Sequence, residues 1–125
     1  MMTDQRVEEQ VARRARPSAI EVIAADFPAW QTSREPHAGP WCATRGNTRL
    51  TADTPAGLLV RVEEQELARL QADHGQQWRV WRTPNYWMAT ARVPGVEPTL
   101  MEPTPGALEA KMLDPGPHIA PPYPR

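Results

Sequence analysis

One cysteine, Cys42, in 125 residues excludes an internal disulfide and any cysteine-based zinc site. Net charge is also missing: 14 basic against 15 acidic side chains leave −1, too little for a global field that would draw in nucleic acid or a membrane surface. No apolar run approaches the roughly 18 residues of a membrane span, and no apolar signal core follows the first methionines. A cytoplasmic protein with no membrane partner is therefore expected. There is no phosphate-cradling glycine loop, no nucleophile elbow and no zinc-ligand spacing. The three histidines are scattered: His37 in a proline-glycine loop, His74 at a helix end, His118 in the tail. Neither a metal triad nor a cofactor is expected, and nothing in the pattern argues for an enzyme. Lysine is nearly absent as well, with Lys111 alone beside thirteen arginines. Arginine suits phosphate and carboxylate recognition, but a GC-rich genome produces the same bias.

What the chain does have is an internal repeat. Trp30, Arg34, Trp41, Ala43 and Thr44 return as Trp78, Arg82, Trp87, Ala89 and Thr90. The match extends to Ile20 and Ile23 with Leu67 and Leu70, to Leu50 with Leu100, and to Thr54, Pro55 and Leu58 with Thr104, Pro105 and Leu108. The offset drifts slightly and slips only at turns. Self-similarity at a period of about 48 residues is a statement about architecture.

Local chemistry predicts the elements of each copy. Ser18 with Glu21 forms a capping box, Ile20, Ile23 and Ala24 share a helical face, and Pro28 ends that helix by Phe27. Trp30 to Arg34, Trp41 to Arg45 and Thr48 to Ala52 read as strands, the last two joined across Gly46-Asn47. Thr54-Pro55 opens a long helix. Leu58, Leu59, Val62, Leu67 and Leu70 form its apolar side, Glu63, Glu64, Glu66 and Arg69 a solvated face, and it ends near His74 before Gly75. Trp78 to Arg82, Tyr86 to Val93 and Thr99 to Met101 repeat the strands. A last helix starts at Thr104-Pro105, with Leu108 and Met112 on one side.

The expected fold is α+β, a duplicated α-β-β-β module in the order α-βββ-α-βββ-α, with antiparallel hairpins packed on helices. Residues 18–112 form one domain of two tandem modules, about 18–66 and 67–112. Residues 1–17 form a flexible or helical arm ending in Arg13, Arg14 and Arg16. Residues 113–125 form a proline-rich disordered tail whose Pro121-Pro122-Tyr123-Pro124 is similar to a polyproline ligand.

Phe27-Pro28-Ala29-Trp30, Trp41-Cys42-Ala43-Thr44-Arg45 and Asp53-Thr54-Pro55-Ala56-Gly57-Leu58 together resemble a module in small proteins of high-GC Gram-positive bacteria. That group has no established activity, so the resemblance implies no function. The hairpin-strand-helix order is also similar to that of HicB-type antitoxins, as a topological analogy only. The glycine-rich segment and acidic helix start of those proteins are missing, since Thr104-Pro105-Gly106-Ala107 lacks the acidic pair.

Comparing the copies separates scaffold from candidate site. Strand alternation puts the repeated tryptophans, Trp30, Trp41, Trp78 and Trp87, in the core. The opposite face of the first hairpin offers Gln31, Ser33, Cys42 and Thr44, all small or polar. That of the second offers Arg79, Trp81, Tyr86, Met88, Thr90 and Arg92, within a segment, Gln76 to Pro94, that carries no acid. Arg79, Trp81, Tyr86, Met88 and Arg92 are the candidate binding residues. They point first to a non-catalytic binding or regulatory protein, acting on a protein partner or through self-association. Nucleic-acid binding by an antitoxin-like repressor is the second reading, with Trp81 stacking and arginines at phosphate. A homodimeric assembly protein is the third.

Overall fold

The structure, a computed structural model, describes residues 18–95 and 98–115. Its elements are α1 (Ala19–Asp26), β1 (Gln31–Arg34), β2 (Trp41–Arg45), β3 (Thr48–Ala52), α2 (Pro55–His74), β4 (Trp78–Arg82), β5 (Trp87–Ala91), β6 (Thr99–Glu102) and α3 (Pro105–Leu113). The fold is α+β with a repeated module, as the duplication predicts. The expected arm at 1–17 and nearly all of the tail lie outside the described residues.

The helix starts follow from their caps. Ser18 Oγ accepts from the Glu21 amide while the Glu21 carboxylate accepts from the Ser18 amide, both at 3.2 Å. Thr54 Oγ1 accepts from the Gly57 amide at 3.0 Å, and Thr104 Oγ1 accepts from the Ala107 amide at 3.2 Å. The two Thr-Pro starts thus use the same device, and each satisfies a donor that the helix cannot. Gly46, the first of the two residues between β2 and β3, has φ +56°, which glycine adopts without Cβ strain. β5 stops at Ala91, shorter than the Tyr86 to Val93 strand expected from composition, because Pro94-Gly95 already turns the chain.

There are two separate three-stranded antiparallel sheets, β1-β2-β3 and β4-β5-β6. The chain divides into two compact units, with the boundary after Val62 inside α2. In the first unit α1 lies against β1, and in the second α3 lies against β5 and β6. Registers coincide between copies. Thr32, Ala43 and Leu50 form a cross-strand row in the first sheet, and Val80, Ala89 and Leu100 form its counterpart in the second.

The buried residues repeat too. Ile23, Trp30, Ala43, Leu50, Leu58 and Val62 are buried in the first unit, and Leu70, Trp78, Ala89, Leu100, Leu108 and Met112 in the second. The two alanines are fully buried at matching register positions. A small residue there lets neighbouring large side chains interdigitate.

Three sequence expectations need correction. Trp41 is only half-buried, because its ring carries the Arg34 guanidinium at 4.9 Å, and the charge stays at the surface. Ala24 is exposed, so the apolar face of α1 is carried by Ile23 with Ile20. The glutamates of α2 are not one solvated face: Glu64 is exposed, but Glu66 is buried and Glu63 is half-buried. Glu66 lies four residues from both Val62 and Leu70, in line with the buried stripe, and pairs with Arg69 at 3.0 Å. Glu63 pairs with Arg82 at 2.9 Å. Burial of a carboxylate requires such partners.

Candidate binding face

Antiparallel pairing sorts the second sheet into rows. Trp81 faces Met88 and Met88 faces Met101, while Arg79 faces Thr90 and Thr90 faces Thr99. These rows have the opposite phase to Val80, Ala89 and Leu100, so they form the outer face. The ladder continues past both strand ends. The Arg92 amide donates to Gln77 O at 2.8 Å, and the Thr83 amide donates to Tyr86 O at 2.8 Å. Arg92 and Tyr86 therefore keep the phase of Thr90 and Met88. All five candidate residues occupy one face by register, with Tyr86 at the hairpin end and Arg92 at the other.

Sequence alternation alone missed Met101, which completes the row Trp81, Met88, Met101 and is 55% exposed. Its strand is short, and nothing local ties it to Trp81. Arg82, by contrast, drops out of the basic surface. It shares the phase of Trp87, holds its guanidinium over that ring at 4.8 Å and is neutralised by Glu63. Arg79 and Arg92 are exposed and have no acidic partner among the described residues. The Arg79 guanidinium lies over the Trp81 ring at 5.2 Å, a geometry in which the ring quadrupole attracts the cation.

An open cleft of about 620 Å³ adjoins this face. One wall is the end of α2 and the loop after it, Gln71, Ala72, Gly75 and Gln76; the other is β4 from Trp78 to Trp81, with Arg92 at the rim. Gln71 Nε2 donates to Val80 O at 3.0 Å across it.

The matching face of the first sheet carries Gln31, Thr44 and Arg49 in one row and Ser33, Cys42 and Thr51 in the next. Its charge is compensated on the spot. Arg49 pairs with Glu35 and donates to Cys42 Sγ at 3.2 Å; these contacts raise the Arg49 pKa further above its ordinary value, the bond to Cys42 most. The cover is complete enough that Cys42, on the outer phase, is only 2% exposed.

A second polar cluster joins α2 to α3 within the second unit. Arg69 donates to Glu66, Asp73 and Glu109, and His74 Nε2 lies 2.8 Å from Glu109 Oε2. That contact requires the ring proton on Nε2. The Arg69 hydrogen bonds, against the opposing effect of burial and with a smaller contribution from His74, hold the Glu109 carboxyl pKa at about 2. The bonds to Glu109, and after them those to Glu66, raise the Arg69 pKa further above its ordinary value against the opposing effect of burial. His74 is thus an ion-network member as well as a helix-end residue. Among the described residues no three His, Cys, Asp or Glu side chains converge as a metal site, and no helix is long and apolar enough to cross a membrane. No family model matches the chain, and no curated protein or solved structure matches it either.

Proposed function

We propose that this is a non-catalytic binding protein that engages a protein partner through the outer face of its second sheet. One observation carries the proposal: at equivalent register positions the first copy has Ser33, Cys42 and Thr51, and the second has Trp81, Met88 and Met101. Duplication supplies the internal reference. The core rows are kept alike for folding, while this row alone turns apolar on the outer face, with Trp81 and Met88 half-buried and Met101 exposed. Aromatic residues, methionine and arginine are the types enriched where partners dock. A reducing cytoplasmic location suits the unpaired Cys42.

On this face the nucleic-acid alternative loses weight, since Arg82 is spent on Glu63 and, among the described residues, two arginines without an acidic partner remain. Self-association through the same face would place four uncompensated arginines in one isologous interface, which an acidic partner avoids.

A displayed library of random peptides, selected on the wild-type protein, provides the test. Clones selected this way are expected to bind Trp81→Ala about tenfold or more weakly, the effect of losing one anchor side chain. Undiminished binding by a Trp81→Ala protein with wild-type circular dichroism would overturn the proposal.

A further inference from the structure

We infer that the cleft beside β4 receives an extended acidic peptide that adds a strand to the second sheet. This rests on the binding face proposed above, because Arg79, Trp81 and Arg92 belong to both.

β4 is an edge strand. In an antiparallel ladder, backbone groups alternate between the partner strand and the free side. Gln77 and Thr83 bond across to Arg92 and Tyr86. Residues 79 and 81, in phase with them, therefore bond to β5. The amides and carbonyls of Trp78, Val80 and Arg82 point to the free edge, where the cleft runs. An unpaired edge is a template for another chain.

The edge already accepts a surrogate. Gln71, an exposed residue of α2, donates its side-chain amide to Val80 O at 3.0 Å. A primary amide there occupies the position of an incoming strand's N–H, and its side chain is free to swing away. Charge selects the occupant. Among the described residues Arg79 and Arg92 have no acidic partner on the outer side of the edge, and Trp81 stands between Arg79 and the hairpin end. In an added strand, alternate residues meet that outer side, and those between them meet the phase of the buried Trp78 and Val80. The fitting ligand thus alternates acidic and aliphatic residues.

The probe is a fluorescently labelled peptide of alternating glutamate and valine, read by anisotropy on the full chain. Binding is expected, with Arg79→Glu weakening it about tenfold or more and Gln71→Ala strengthening it severalfold by removing the competitor. Two N-methylated forms, one methylated at the valines and one at the glutamates, identify the mode. In strand addition only one set of amides faces the edge, so one form must lose binding and the other keep it. Absence of binding, or equal effects of the two methylation patterns, would overturn the strand-addition inference. If the patterns act alike while binding still depends on Trp81, only edge pairing fails and the outer-face proposal stands. If Trp81→Ala leaves peptide binding unchanged, the face itself is contradicted.

Discussion

Arg69 on α2 and Glu109 on α3, 40 residues apart in the chain, meet as a two-pronged pair. Nη1 donates to Oε2 at 2.9 Å and Nη2 to Oε1 at 3.0 Å. This fork-to-fork geometry is stronger and more directional than a single contact, and His74 and Glu66 extend it at its two ends.

The pair makes the second unit acid-sensitive. The Glu109 carboxyl titrates at about 2 in the folded protein against an ordinary 4.5. Its ionised form is favoured by folding, so its stabilising contribution is complete above 4.5 and is lost as the pH falls toward 2. Urea unfolding at a series of pH values should show stability falling through this window, with Glu109→Gln flattening the slope. The same substitution should cost about 1–3 kcal/mol near neutral pH. An unchanged slope would mean that the network does not hold in solution.

Equivalent core positions should behave as equivalents. Leu58 and Leu108 are both fully buried, each four residues after a capping threonine whose carbonyl accepts its amide. Leu58→Ala and Leu108→Ala should each cost about 2–5 kcal/mol, and Thr54→Ala and Thr104→Ala about 1 kcal/mol each. Chemical denaturation followed by tryptophan fluorescence measures all four. A negligible cost at one leucine of the pair would show that the duplicated cores are not packed alike.

The Glu63–Arg82 pair should couple measurably. Both side chains are about a quarter exposed or less, at 20% and 26%, and Arg82 also covers Trp87. A double-mutant cycle with Glu63→Gln and Arg82→Gln should return on the order of 1 kcal/mol of interaction. Additive single effects would reduce the pair to surface decoration.

The repeat made the fold legible because its signals are local and the main ones occur in duplicate: the Thr-Pro caps and the paired tryptophans, with a Gly-Asn turn in the first copy alone. The outer face was legible for the same reason, since strand alternation needs no knowledge of distant contacts. What escaped was long-range or a matter of partner choice. Glu66 carried a local signal, its four-residue spacing from Val62 and Leu70, that its charge concealed. The alliance of Glu63 with Arg82 spans 19 residues and that of Arg69 with Glu109 spans 40; composition says nothing of either. Cys42 looked like an exposed strand residue because the covering Arg49 and Glu35 come from a neighbouring strand and a loop.

The central claim is that the unshared Trp81 face, and not the shared tryptophan scaffold, meets the partner. The five tryptophans give five indole N–H signals in a proton–nitrogen spectrum, assignable by single Trp→Phe replacements. Titration with a library-selected peptide should shift the Trp81 indole while leaving those of Trp30 and Trp41 in place. Shifts at Trp30 or Trp41 with a stationary Trp81 signal would contradict it.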